Sequence, residues 1–582
     1  METIPVPTRY PDWLARTSFF LRSSGLKAWR LAQDTLHGLP LLPVGGRNDF
    51  PYMLAESVSR LDTGSDARER PLVLGKIHNL RLACRQIHRR VLAPGQTFSL
   101  WRQVGPPWQL RGFAQGREVR EGCVIPTFGG GLCQLSGSLL EVALALDLDL
   151  VEKHSHTALP ADISRDPRRD ATLFWNYVDL RFRSRVPVLF ECILTKTDLV
   201  VRVRGQHPRP ANTQTFKSAT AAHLPQTHLE SCFTCRQTAC SRHIKEAPPV
   251  GKTAFLLDEY QPEFARLVAE TAKDGDQLLL PFVSEGGWSG AGRNVQFSFW
   301  FRVRRSLTLR WTVFRGITVA KAYFDLAGVL ANIYQRRIGH DAEHLCVAQT
   351  LLPYLWRSGI LGGRTFDVLM QRLPVTALEE ELNMAAALYP ESKTLVEFRA
   401  PRWFAEAEQE ALKSARRIFT PHAQLAALDD RAVRLPWAAP TMHRNGSGER
   451  RDLIVFPGPT LARKGAYALR EAVRKTRLPV AVLGPELEQP GFWRSLPVTF
   501  LNSKDLHWEQ THTVVQPALV EHWPRQLLKA HAGGTNLVIT SQCGLEEDHA
   551  AGIHHVPFGD GNKLAEILTI LSDQSRRLAC ES

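Results

Sequence analysis

Gly129-Gly130-Gly131 stands directly before Leu132-Cys133, and Leu135 to Ala145 continues as an apolar run at helical spacing. A cysteine at or near the start of a helix sits in a field that favours its thiolate, the nucleophilic form of the side chain. Glycines ahead of it let backbone amides approach a developing oxyanion. Leu150 to Thr157 reads as the next strand, and its period of two puts His154 and His156 on one face. Asp170 and Asp179 lie on or near a later strand pair. Nucleophile, base and orienting acid are thus available in the order Cys133, His156, Asp179, a candidate catalytic set for acyl transfer or peptide hydrolysis. The competing reading has Cys133 packed against a sheet and the histidines bonded to backbone or a metal.

A second cluster, Cys232-Phe233-Thr234-Cys235 with Cys240 and His243, has the spacing C-x2-C-x4-C-x2-H. Three thiolates and one imidazole so spaced can surround Zn²⁺ in a tetrahedron. An iron–sulfur centre built on Cys232, Cys235, Cys240 and a fourth cysteine elsewhere is the alternative, and plain reduced thiols are the third. The last group lies toward the C-terminus. Leu453 to Phe456 reads as a strand, Pro457-Gly458-Pro459 as a turn, Ala466 to Arg474 as a helix and Pro479 to Leu483 as the next strand. This βαβ unit sets Arg463, Lys464 and Gly465 at a helix entrance, where a lysine and free amides can hold a diphosphate.

The elements that must position these residues fall into segments. Ile77 to Val91 carries apolar residues at helical spacing and Thr97 to Trp101 is strand-like. Gln206 to Val250 turns polar, with Pro, Thr, His and the cysteine cluster, and reads as a linker holding a small module. Beyond it, Thr253 to Leu257 and Gln277 to Leu280 read as buried strands around a helix at Glu263 to Ala272, the rhythm of a parallel α/β sheet. The expected boundaries are a lead at 1–70, a core at 71–205, the linker at 206–250, and two further units at 251–435 and 436–582.

Composition bounds the rest. The chain has 582 residues, 44% hydrophobic and 22% charged, enough for about three to four packed domains and unlike a disordered or fibrous chain. Its 72 Lys+Arg against 58 Asp+Glu give +14, which favours anionic partners such as phosphates or an acidic membrane face. No block of five or six like charges occurs, which argues against a nucleic-acid partner. Met1 to Leu21 lacks an unbroken apolar run, and the richest later run, Leu139 to Val151, is interrupted by Glu141, Asp147 and Asp149. A cytoplasmic protein, at most peripheral to the inner face of the membrane, is expected. Ten cysteines, three within nine positions, suit reduced thiols plus one metal cluster.

Two resemblances extend this reading. The order of Cys133, His156 and Asp179 is similar to that of transglutaminase-like and papain-like cysteine enzymes, by analogy of element types alone. More specifically, Leu74 to Leu80 (LGKIHNL), Pro94 to Ser99 (PGQTFS), Gly129 to Ser136 (GGGLCQLS), Glu152 to His156 (EKHSH) and Asn176 to Leu180 (NYVDL) resemble, in order, the motifs of the VanW family over roughly residues 5 to 205. The resemblance implies a bacterial protein linked to the cell envelope. The family's near-fixed residues fall here on Gly129, Gly130, Gly131, Cys133, Gln134, His156 and Asp179, with His154 and Asp170 beside them; Glu152-Lys153 replaces a common arginine.

Residues from about 250 to 575, most clearly after 405, resemble glycosyltransferases of the GT-B architecture. Phe456-Pro457-Gly458 to Lys464-Gly465, Gln516-Pro517 to Glu521, Ala530 to Gly534 and Val538 to Gly544 carry the likeness. It implies a nucleotide-sugar donor whose diphosphate lies on Lys464, Arg463 and the helix N-terminus beyond Gly458, with Glu521 near the sugar. Two positions depart: Lys529 replaces a second glutamate that would reach ribose hydroxyls, and Pro459 replaces an arginine, for which Arg463 is the nearest substitute. The expected fold is α/β and α+β multidomain: an α+β VanW-like domain, a short Cys-rich metal knuckle, and two Rossmann-like halves. The expected function is sugar transfer from a nucleotide-sugar to an envelope glycan or lipid-linked acceptor. The alternatives are a non-catalytic scaffold for envelope intermediates and a Cys133-dependent thiol acyl-transferase or peptidase.

Overall fold

The computed structural model describes residues 13–36, 38–62, 67–120, 123–155, 170–208, 215–217, 251–281, 294–297, 301–308, 319–396, 399–438, 440, 453–502, 508, 511–546 and 548–581. After an N-terminal helix α1 (Trp13–Leu36), the first region is built on one mostly antiparallel sheet. Its strands are β1 (Tyr52–Arg60), β2 (Arg90–Leu92), β8 (Val188–Leu194), β9 (Asp198–Gly205) and β10 (Thr215–Lys217), in the order β10-β1-β9-β8-β2. Between β2 and β8 come β3 (Thr97–Ser99), the hairpin β4 (Gln115–Arg120) and β5 (Cys123–Phe128), β6 (Asp149–Glu152) and β7 (Arg181–Arg183).

Two helices cover this sheet. In α2 (Arg70–Ile87), Val73, Ile77, Leu80, Cys84 and Ile87 recur at helical spacing and are buried. A short α3 (Leu100–Val104) follows β3, and α4 (Leu132–Ala145) buries Leu135, Leu139, Leu140 and Val142 in the same core. Burial of such a stripe, rather than intrinsic propensity, supplies most of a helix's stability.

Several local expectations shift. The helix expected at Ile77–Val91 ends at Ile87, because Arg89 adopts φ 60° and the chain turns into β2. The strand expected at Thr97–Trp101 becomes helical at Leu100, since the Ser99 hydroxyl caps the amide of Arg102. The strand expected from Leu150 stops at Glu152, whose carboxylate is drawn into bonds with Arg30 and the Asp179 amide. His154 therefore follows the strand instead of lying in it. The expected linker contributes β10, which pairs in parallel with β1.

The second region holds two all-parallel sheets. The first contains β11 (Lys252–Leu256), β12 (Gln277–Leu280), β13 (Asn294–Phe297), β14 (Ala342–Ala348), β15 (Thr365–Leu369), β16 (Ile418–Thr420) and β17 (Ala432–Arg434), in the order β13-β12-β11-β14-β15-β16-β17. Its helices include α5 (Pro262–Thr271), α6 (Val319–Gln335), α7 (Val375–Leu388) and α8 (Arg402–Ser414). The second contains β18 (Leu453–Phe456), β19 (Val480–Leu483), β20 (Val498–Leu501), β21 (Thr511–Gln516), β22 (Asn536–Ile539) and β23 (Ile553–His555), in the order β20-β19-β18-β21-β22-β23, with α9 (Ala466–Thr476), α10 (Arg525–Ala532) and α11 (Gly561–Glu581). In each sheet the first strand lies between the second and the fourth. This is the doubly wound order, whose switch point opens a crevice at the carboxyl ends of the strands.

The regions are joined by specific contacts. Arg81 donates to the Gly362 carbonyl (2.9 Å) and the Gly363 amide to the Thr195 carbonyl (2.8 Å), tying the first region to the first parallel sheet. Between the two halves, Arg525 donates to both Glu263 oxygens (2.7 and 2.5 Å) and the Ala438 amide adds a third bond (2.7 Å). Burial works against the Glu263 charge, but Arg525 and the amide outweigh it and hold the carboxyl below its usual range. Among the described residues no helix is long and apolar enough to cross a membrane.

Candidate functional site

The glycine segment before Cys133 is a packing device. Gly131, at φ +96°, is the residue before α4, and a β-carbon there would lie 2.0 Å from Cγ of Lys76. A β-carbon on Gly130 would lie 2.4 Å from the Gly116 carbonyl oxygen, and one on Gly75 would lie 1.9 Å from that of Gln115. Asn79 clamps the same junction: its amide nitrogen donates to the carbonyls of Ala114 (3.0 Å) and Gly130 (3.1 Å), and its oxygen accepts from the Ala114 amide (2.9 Å). The LGKIHNL and GGG motifs thus meet where α2, the β4–β5 hairpin and the start of α4 approach backbone to backbone. Lys76 is buried here, and burial, followed by the charge of Arg117, pushes its ammonium down to about 7.

Cys133 lies in the first turn of α4, partly accessible, with Sγ 4.0 Å from Thr172 Oγ1. Gln134 donates to Ser59 Oγ (2.9 Å) and the Arg60 carbonyl (2.7 Å), fixing the helix to β1. Asp179 is buried, and its two oxygens accept from Ser99 Oγ (2.6 Å), the amides of Trp101 (3.2 Å) and Leu180 (2.9 Å), and Arg181 Nε (2.8 Å). Burial raises its carboxyl, opposed by Ser99 and Arg181. Those bonds make Asp179 a clasp between α3 and β7. His154 Nε2 lies 3.3 Å from Glu152 Oε1, and Asp170 is buried. His156 lies outside the described residues, as do Cys232, Cys235, Cys240 and His243. Among the described residues no group of three or more His, Cys, Asp or Glu side chains is arranged to hold a metal.

A cavity of about 770 Å³ is lined from both Rossmann-like halves. Most of its polar lining follows the strand ends: Asp258 and Glu259 after β11, Thr350 after β14, Arg372 after β15, Arg463 after β18 and His522 after β21, with Arg305 and Thr394 besides. Asp258 is held by the Thr350 hydroxyl and by the Glu259 amide (2.9 Å), and burial raises its carboxyl. Glu259 is reachable through the cavity yet surrounded by protein; burial and then the Asp258 charge raise it to about 7, against the pull of Arg305. Arg372 is fixed on Glu408 (2.8 Å). Burial, and then the charge of Arg372, hold the His522 imidazole well below its usual range, and its buried Nε2 has no hydrogen-bond partner among the described residues.

Of the expected donor residues, Arg463 lines the cavity. Lys464 is bonded to the Glu521 carboxylate, which also accepts from Gln516 and from the Trp523 amide (3.1 Å). Gly465, at φ +89°, begins α9, and a β-carbon there would lie 2.1 Å from the Pro517 carbonyl oxygen. Gly458 sits in the turn after β18 with open space around it. Lys529 is exposed on α10. Sequence reasoning missed Asp258, Glu259, Arg372 and His522. A signal existed for the first two, an acidic pair directly after the buried run Ala254 to Leu257.

Residues 75–204 match the family model described as VanW like protein. Over 156 residues the chain is 28% identical to the vancomycin B-type resistance protein VanW of Enterococcus faecalis (strain ATCC 700802 / V583), covering 26% of this chain and 57% of that protein. It is 32% identical over 108 residues to YoaR, an uncharacterized protein of Bacillus subtilis (strain 168), covering 19% of this chain and 35% of that one. The chain thus spans less than two thirds of either curated relative. Among solved structures, WaaG, a glycosyltransferase involved in lipopolysaccharide biosynthesis, is similar with a TM-score of 0.34 and 15% identity, over 56% of this chain and 91% of that one.

Proposed function

We propose, taking the chain as a VanW-like domain joined to two Rossmann-like halves of the GT-B arrangement, that the cavity between those halves transfers a glycosyl group from a nucleoside-diphosphate sugar to a hydroxyl acceptor. The observation that carries this reading is the convergence of strand ends from both doubly wound sheets on one cavity, where Arg463 and His522 of one half stand with the acidic pair Asp258 and Glu259, Arg305 and Arg372 of the other.

Arg463 offers charge to a diphosphate, and His522, neutral and short of a partner, offers a hydrogen bond. Lys464, beside them, can pass from Glu521 to phosphate. Across the cavity Glu259 faces the acceptor. In the step, the acceptor oxygen bonds to the anomeric carbon as that carbon's bond to the diphosphate oxygen breaks. The nucleoside diphosphate leaves with the electron pair, and the hydroxyl proton passes to the Glu259 carboxylate. A carboxyl titrating near neutrality suits that exchange.

Release of nucleoside diphosphate from a panel of nucleotide sugars, with the purified chain, tests the proposal. No release and no thermal stabilisation by any donor would favour the scaffold reading.

A further inference from the structure

The two sides of the cavity differ in proportion. The C-terminal half supplies Arg463 and His522 with Leu461 and Val520, whereas the N-terminal half supplies, besides the polar strand-end residues and Arg305 and Thr394, a broad apolar wall. That wall comes from three helices: Tyr323, Phe324, Leu326 and Leu330 of α6, Leu378 of α7 and Phe404 of α8. Phe324 and Phe404 meet edge to face, with ring centres 4.7 Å apart, and the Tyr354 hydroxyl donates to the Phe324 carbonyl (2.6 Å), so the wall is fixed. Tyr323 stays 52% exposed.

A sugar or peptide bearing only polar groups would lose water against such a wall and gain no hydrogen bonds in return. A molecule with an alkyl or aromatic portion would gain the burial instead. The acidic pair Asp258 and Glu259 lines the same side of the cavity, so a polar head and an apolar portion have separate places there. From this we infer that the N-terminal half takes an amphiphilic acceptor, its apolar portion against α6, α7 and α8 and its hydroxyl turned to Glu259. The inference rests on the transfer reading for the word acceptor, but the apolar subsite stands or falls by itself. Its size, about 770 Å³ shared with the donor, suits a headgroup and a short stretch of chain.

The test is titration calorimetry of the full chain with n-octyl β-glucoside below its micellar concentration, against methyl β-glucoside. The octyl compound is expected to bind at least about tenfold more tightly, because its extra methylenes find apolar surface. Tyr323→Asp is expected to remove that preference, while Leu110→Asp, on a side chain 98% exposed in the first region, leaves it intact. Circular dichroism checks that both variants fold; should Tyr323→Asp unfold, Tyr323→Ser takes its place. Equal binding of the two glucosides, or an octyl preference untouched by the Tyr323 change or equally lost in Leu110→Asp, would overturn the inference. A parallel titration with UDP separates the two readings. Octyl preference without UDP binding removes the donor reading alone, and UDP binding without octyl preference removes the amphiphile alone.

Discussion

Lys464 and Glu521 form an ion pair beside the cavity between the two Rossmann-like halves, with the lysine on the turn into α9 and the glutamate beyond β21. The sequence pattern points both at a donor, one at phosphate and one at sugar; in the structure they meet each other. A bound diphosphate would have to win the lysine from the carboxylate.

That competition gives the two substitutions opposite signs. Lys464→Ala should remove a charge-assisted contact of roughly 1.5–3 kcal/mol and weaken UDP binding about tenfold or more. Glu521→Gln removes the competitor, so UDP affinity should hold or rise. Calorimetric titration of both variants decides it, and the reverse order would refute the proposed exchange.

Glu259 links activity to stability. Its carboxyl titrates near 7 in the folded chain against an ordinary 4.5. Between those values the folded state keeps a proton that the unfolded chain has lost, so the stability this group permits is complete below its ordinary value and falls as pH rises through about 7. Glu259→Gln should therefore raise the melting temperature at pH 8 and leave it unchanged at pH 4. Sugar transfer to water or acceptor should increase through neutral pH in the native chain and be lost in the variant. A melting temperature that drops at pH 8 would contradict this assignment.

The glycines of the first region should be intolerant for steric reasons. Gly75→Ala drives a β-carbon into the Gln115 carbonyl oxygen, and Gly131→Ala adds a left-handed backbone to a collision with Lys76. Each is expected to cost about 3 kcal/mol or more. Gly137→Ala, where nothing lies within 4 Å, is expected to be neutral or mildly stabilising inside α4. Urea denaturation of the three variants compares them directly.

Cys133 should react with iodoacetamide ahead of Cys84, Cys192, Cys346 and Cys543, because those four are buried and Cys133 is partly accessible. Burial also pushes the Cys84, Cys346 and Cys543 thiols up, the last to about 12. Mass spectrometry of the native chain at pH 6 reads the order. A rate that falls in His156→Ala would support a histidine acting on the thiol, and an unchanged rate would leave Cys133 merely accessible.

Much of the architecture was legible in the residues. The buried run Leu453 to Phe456 is a strand at the expected positions, and Gly465 opens the expected helix because only a residue without a β-carbon fits beneath Pro517. The start of α4 at Gly131 and Cys133 was equally plain, since apolar periodicity and a glycine break are local signals. Partners distant in the chain were not legible. The EKHSH segment alternates like a strand, yet Glu152 is held by Arg30 and the Asp179 amide, and the strand ends there.

The sequence by itself determined where most strands and helices form, because apolar periodicity and glycine breaks depend on neighbours within a few residues; that glycine is obligatory at Gly75, Gly131 and Gly465 follows from the distant Gln115, Lys76 and Pro517. Only the tertiary structure decided that Glu259 and His522 line one cavity, that Lys464 meets Glu521, and that the GGG turn is clasped by Gly116, Lys76 and Asn79. The physical reason is that strand order in a doubly wound sheet brings together ends separated by whole βα units, and burial and charge at a site follow from that assembly.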